Sequence, residues 1–254
     1  MKPHASMPRS AFSLIELSVV IVIIGLLVGG VVSLSSYTRN STLSATIGES
    51  KYYINAFTQF QTRYNAAPGD YNTASSAWTG AGNGDGNTVI RATGSAPGNR
   101  DEWFYTFQHL ALAGFIQGKF TGATSGGGGT YVAKTGTNVP AASAERTAFL
   151  FDHPDALDGV VSSDAFYFDG IYPNVLRIAG LNDNATSIPD QPFVTGKQAL
   201  QLDDKFDDGL PGQGSIVTPI STALSGCATR DVASTAVYDV STDNKTCYFI
   251  VRMQ

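Results

Sequence analysis

The chain has 254 residues, of which 43% are hydrophobic and 15% charged, with a formal net charge of −5. That length supports an anchor segment and one sizeable folded domain, with no sign of two independent enzymatic domains. A mildly acidic balance argues against nucleic acid as a partner.

Residues 1–11, MKPHASMPRSA, are short, basic and poor in apolar side chains. The run that follows, through Leu34, carries a single early carboxylate at Glu16, and from Leu17 to Tyr37 the only ionisable group is the terminal phenol. A helix over that run rises about 32 Å, matching a hydrocarbon core of roughly 30 Å. The positive-inside tendency places residues 1–11 in the cytoplasm and the rest of the chain beyond the membrane. A secretory signal peptide has a shorter apolar core and a small-x-small cleavage site after it, and fits this pattern less well. Glu16 is the anomaly, because a carboxylate at the edge of such a segment is costly unless something compensates it.

The order Ala11-Phe12-Ser13-Leu14-Ile15-Glu16 followed by a long apolar run resembles the class III leader junction of type IV pilins and of the pseudopilins of type II secretion. The resemblance covers about the first fifth of the chain. It implies cleavage by a prepilin peptidase between Ala11 and Phe12, methylation of the new N-terminus at Phe12, and Glu16 as the fifth mature residue. One departure is visible, since the family usually has Gly where this chain has Ala11. By the same resemblance, Glu16 would neutralise the Phe12 amine of a neighbouring subunit; each charge is expensive alone in an apolar bundle and tolerable as a pair.

From Tyr37 to Arg63 there is no proline, and Leu43, Ile47, Ile54, Phe57 and Phe60 recur near helical spacing. Phe12 to Arg63 is therefore expected as one helix about 78 Å long. Gly25 and Gly29 form a small-xxx-small pair within its apolar half, serving either close packing or flexibility. Pro68 and Gly69 end the helix, and the simplest role for Asp70 is a cap for the short segment running to Trp78. Asn83, Asp85 and Asn87 alternate with glycine like half of a calcium loop. The twelfth position is Gly94 rather than Glu, so a glycine-rich turn is the better reading.

Asn99 to Gly118 reads as an amphipathic helix, opened by Asp101 and Glu102, carrying Trp103, Phe104, Phe107 and Leu110, and closed by Gly114. Residues 121–145 form a Gly/Thr/Ser-rich loop. Strand patterns follow at Thr147–Phe151, Val160–Phe168, Val175–Ile178, Ser215–Ile220, Ala236–Val240 and Cys247–Val251, with a short helix over Lys197–Asp208 between them. Asp203, Asp204, Asp207 and Asp208 on that helix place like charges three and four residues apart, where they repel unless a cation or Lys205 intervenes. Some pseudopilins bind calcium in the C-terminal domain, which makes these four residues candidate ligands for a structural calcium ion, the one cofactor the sequence raises.

The only cysteines, Cys227 and Cys247, lie in the region assigned outside the cytoplasm, where a disulfide is expected. Two free thiols or a metal pair are the alternatives, and the metal pair lacks further Cys or well-placed His ligands. The histidines, His4, His109 and His153, belong to no recognisable catalytic motif. No enzyme is expected.

The expected fold is α+β. It divides into a leader at 1–11, a membrane and filament-core helix at 12–36, its amphipathic extension at 37–63, and a globular domain at 64–254 built on an antiparallel sheet with long loops. The expected protein is a structural subunit of a type IV pilus or pilus-like filament. Its place is the inner membrane, with the C-terminal domain periplasmic, and its partners are sibling pilin or pseudopilin subunits, the prepilin peptidase and the assembly machinery. A secretion pseudopilin and a non-polymerising anchored binding protein are the alternatives.

Overall fold

The computed structural model describes residues 13–91, 102–123, 131–153, 168, 172–182, 188–219, 226–230 and 232–253, with the backbone alone over 30–37. The chain divides into two compact units, Met1–Thr42 and Leu43–Gln254. Helix α1, Leu14–Tyr64, supplies the described part of the first and continues into the second. This agrees with the long helix expected from the sequence, ending one residue later.

In the first unit α1 opens with a capping arrangement. The Ser13 N–H donates to Glu16 Oε2 at 2.8 Å and Ser13 Oγ accepts from the Ile15 N–H at 3.3 Å. The spacing is Ser-x-x-Glu, which satisfies helix-start donors that otherwise have no partner.

In the second unit, α1 from Leu43 onward buries Leu43, Ile47, Ala56, Phe57 and Phe60. With the buried Ser50 and the partly buried Tyr53 and Ile54 between Ile47 and Phe57, they recur three or four residues apart and form one stripe, the helix side of the core. Pro68 and Gly69 then turn the chain into the short helix α2, Ala74–Ala77. Helix α3, Glu102–Leu112, buries its aromatic face almost completely. It stops at Gly114, which adopts φ +78°, while the Phe115 N–H reaches back to the Leu110 carbonyl at 2.9 Å. That is a glycine-terminated helix end of the expected kind.

The main sheet is antiparallel, in the order β1-β2-β6-β4: β1 Thr147–Asp152, β2 Val175–Gly180, β4 Ile216–Val217 and β6 Phe249–Arg252. The register sets Phe149 opposite Ile178 and Ile178 opposite Phe249. Every residue of β1 and β2 is buried, so both faces of these strands are covered. Tyr53 packs at a tilt against Phe149 with ring centres 4.8 Å apart, Phe57 meets Phe151 at 4.8 Å, and Phe107 of α3 meets Phe151 at 5.5 Å. The core thus lies between α1, α3 and the sheet. A buried ion pair between Asp152 of β1 and Arg177 of β2 is braced by Trp103 Nε1, which donates to Asp152 Oδ1 at 2.9 Å.

A second pair of strands, β3 Val194–Thr195 and β5 Lys245–Cys247, flanks helix α4, Gly196–Phe206. Thr195 and Gln198 cap α4 reciprocally, side chain to backbone in both directions.

Three expectations differ in detail. The strand expected over Ser215–Ile220 is confined to Ile216–Val217, and Tyr248 separates β5 from β6 where one strand was expected. Ala236–Val240 keeps a strand-like alternation of burial, and among the described residues it forms one isolated bridge, Ala228 to Tyr238, rather than a ladder. The strand expected at Val160–Phe168 lies outside the described residues except for Phe168.

Candidate functional site

Three places concentrate chemistry. The first is the start of α1. Leu14, Ile15, Leu17 and the residues on to Val28 are all exposed, from 50% at Val20 to 88% at Leu14. An apolar surface on every side of a helix belongs in lipid or inside a bundle of helices, not in water. Glu16 sits in the first turn of this helix, bonded to the Ser13 N–H. Ala11 and Phe12 lie outside the described residues. No helix among the described residues is long and apolar enough to cross a membrane. The apolar run whose side chains are described ends at Gly29, about 24 Å along the helix axis against a core of roughly 30 Å.

The second place is the loop after α1, which is organised by two buried carboxylates. Asp70 does not cap α2, as the sequence suggests; the residue before that helix is Thr73, and its side chain makes no capping bond. Asp70 Oδ1 instead accepts from the Gly86 and Asn87 N–H groups at 2.6 and 3.1 Å, and Oδ2 from Thr88 N–H at 2.6 Å. Glu102, at the start of α3, accepts from Asp85 N–H at 3.0 Å and Arg91 N–H at 3.2 Å. Asp85 accepts from the backbone and side-chain N–H groups of Asn87 at 3.0 and 2.9 Å. One carboxylate oxygen from each of the three lies within 4.8 Å of the others. Burial raises the Asp70 carboxyl despite three lowering N–H bonds, and pushes Glu102 up to about 7. The alternating Asn83, Asp85 and Asn87 oxygens are taken up locally: Asn83 binds Ser75, Asp85 binds Asn87, and Asn87 accepts from Val89 N–H at 2.8 Å. The sequence signals for this clamp were a Pro-Gly-Asp turn and a Glu at a helix start, both of which have simpler local readings.

His109 fastens the same loop to α3. The Gly69 N–H donates to Nδ1 at 2.9 Å, so the proton sits on Nε2, which donates to the Gly82 carbonyl at 2.8 Å. Gly69 itself, at φ +96°, leaves no room for a Cβ against Thr106 and the Glu102 carbonyl. The imidazole is fully buried among Phe60, Tyr71, Trp78 and Tyr105, and desolvation lowers it to about 4.

The third place is the end of α4. Asp203, Asp207 and Asp208 each bring one carboxylate oxygen within 4.8 Å of the others, whereas Asp204 stands outside this group and is exposed. Asp207 Oδ2 accepts from the Ser215 and Ile216 N–H groups at 2.6 and 2.8 Å, and Asp208 Oδ1 from Leu210 N–H at 2.9 Å. Asp203 is buried, and its Oδ2 accepts the Tyr238 hydroxyl proton at 2.8 Å. Burial first, then Asp208, Asp207 and Asp204, raises its carboxyl to about 7, against the lowering Tyr238 bond. Nearby, the Cys227 and Cys247 sulfurs are 2.08 Å apart, a bonded distance, across a sequence separation of 20.

None of these arrangements joins a nucleophile to a base. Residues 6–32 match the prokaryotic N-terminal methylation motif, the class III leader of type IV pilin and pseudopilin precursors. Comparisons with curated proteins and with solved structures returned no match.

Proposed function

We propose that this pilin-type precursor is a structural subunit of a type IV pilus or pilus-like filament, a pilin or minor pilin held in the inner membrane until assembly. The observation that carries the reading is the methylation motif at residues 6–32 continuing directly into a helix whose apolar side chains are exposed on every side. In sequence the apolar run extends past Gly29 through Leu34, which supports a membrane-stored helix. Prepilin peptidase cuts between Ala11 and Phe12 and Phe12 is methylated. The exposed helices then bundle, with Glu16 facing the Phe12 amine of a neighbour. The same motif serves type II secretion pseudopilins, whose filaments assemble by the same step.

Glu16 makes the testing variant easy to misread. Because it also accepts the Ser13 N–H, Glu16→Ala removes a helix cap together with the charge. Glu16→Gln keeps an acceptor for that N–H and removes only the charge. A filament subunit whose assembly depends on the charge pair will reach the membrane as Glu16→Gln in normal amounts and fail to enter filaments, measured by immunoblotting of sheared filaments against the membrane fraction. Incorporation of Glu16→Gln at the wild-type level would contradict the assembly role, and is the result expected of an anchored binding protein that never polymerises.

A further inference from the structure

We propose that the cavity beside the start of β1 binds a small carboxylated saccharide, with Arg146 and Lys134 holding its acid group. The cavity has a volume of about 440 Å³, is lined by residues between Ala133 and Asn182, and lies wholly within the unit that begins at Leu43. That is in the size range of sites for small molecules and has room for one or two sugar rings. Its charge comes from Lys134, Arg146 and Glu145, two cations against one carboxylate, in a chain whose net charge is −5. A concave basic patch on an acidic protein draws anions to it.

The second observation is the backbone that carries Arg146. Ala144 to Thr147 form a turn closed by the Thr147 N–H on the Ala144 carbonyl at 3.3 Å, with Arg146 third in the turn at φ +54°. Glycine or asparagine ordinarily fills that position, because a side chain is crowded there. The turn's other backbone bond, from the Leu181 N–H to the Arg146 carbonyl at 2.7 Å, is one that any residue makes. An arginine that strains the backbone and lines a cavity is therefore placed for what its side chain does there.

The walls are fixed without a ligand. Ser143 gives both its N–H and its hydroxyl to Glu49 of α1, and the Ala144 N–H donates to Thr46 Oγ1 at 2.9 Å. The Lys134 N–H donates to Asn138 Oδ1 at 2.7 Å, and among the described residues no hydrogen bond or ion pair engages the Lys134 ammonium. A guanidinium pairs a carboxylate through two parallel N–H groups, and an ammonium beside it adds a second charge. The rest of the lining suits a sugar better than an acidic peptide. Thr135, Thr147 and Asn182 supply hydroxyl and amide groups that both donate and accept, as sugar hydroxyls do. The apolar lining is confined to alanines and Leu181, too little to anchor large peptide side chains. The inference is independent of the filament reading.

The test uses the full chain in detergent at pH 7, titrated by calorimetry with digalacturonic acid, with its uncharged dimethyl ester, and with a diglutamate peptide, while thermal unfolding is followed in parallel. Arg146→Asn is the informative variant, since asparagine accepts a positive φ and only the cation is lost. Lys134→Gln removes the second cation away from the turn, and Lys197→Gln, outside the cavity, is the control. The expected result is one digalacturonate per chain, with a Kd weakened about tenfold or more by esterification, by Arg146→Asn or by Lys134→Gln, and changed less than roughly twofold by Lys197→Gln. Glu145→Gln, which removes the one carboxylate, is expected to tighten binding, and Arg146→Asn to leave the unfolding midpoint unchanged or raise it. Absence of saturable binding up to about 10 mM digalacturonate, equal binding of the ester or tighter binding of the peptide, or binding undiminished in Arg146→Asn overturns the proposal. A midpoint lowered by Arg146→Asn also overturns it, because Arg146 would then stand there for the fold.

Discussion

His109 can serve its position in one state only. With Nδ1 receiving the Gly69 N–H and Nε2–H given to Gly82, a second proton would set two N–H groups against each other inside an aromatic box. Its folded value of about 4 lies below the ordinary 6.5, so the unfolded chain binds the extra proton more readily. The stability from this group is complete above about pH 6.5 and is lost as pH falls toward 4, on the order of 3 kcal/mol in all. Glu102 and Asp203, both raised to about 7, act in the opposite sense and weaken the fold as pH rises toward 7. His109→Gln removes one of these opposed contributions. Its deficit relative to wild type, read from urea unfolding, will shrink as pH is lowered from 7 to 4.5, and a deficit constant across that range would contradict the assigned tautomer. None of this was visible in sequence, where His109 was one polar residue on an aromatic helix. The cap formed by Ser13 and Glu16 is a different case, since Ser-x-x-Glu was there to be read and was overshadowed by the charge of Glu16.

At the scale of elements, legibility followed length and periodicity. Helices α1 and α3 carry uninterrupted three- and four-residue stripes, and β1 and β2 are apolar runs bounded by turn residues, so each was readable from local pattern. β4 and the Ala236–Val240 segment were not, because how far a ladder extends depends on a partner strand that local pattern does not reveal. The pair Cys227–Cys247 matters most in that part of the fold, where β5 is three residues long and Tyr238 is held through one bridge and one hydroxyl. Closing a loop of this length contributes about 3 kcal/mol in the chain-entropy model. Replacing both cysteines by serine is expected to lower the unfolding midpoint by roughly 6–12 °C while leaving the far-ultraviolet circular dichroism nearly unchanged. An unaltered midpoint would show that the loop is held without the bond.

For the whole molecule, the two units answer to different solvents. The unit from Leu43 onward buries an aromatic core between α1, α3 and the sheet, and nearly all its buried carboxylates are satisfied internally. The first unit presents a helix with apolar side chains on every side and a single early carboxylate, a surface that makes sense only once lipid or other helices cover it. The methylation motif lies at the head of this helix, and on the function proposed above it marks the segment by which the folded domain is held and assembled. That account depends on the chain being cut where the motif ends and the apolar run begins. The most direct measurement is mass spectrometry of the N-terminal peptide of the protein recovered from its native membrane. The account predicts a chain beginning at Phe12 with one methyl group on its amine; a chain beginning at Met1, or anywhere beyond the apolar run, would contradict it.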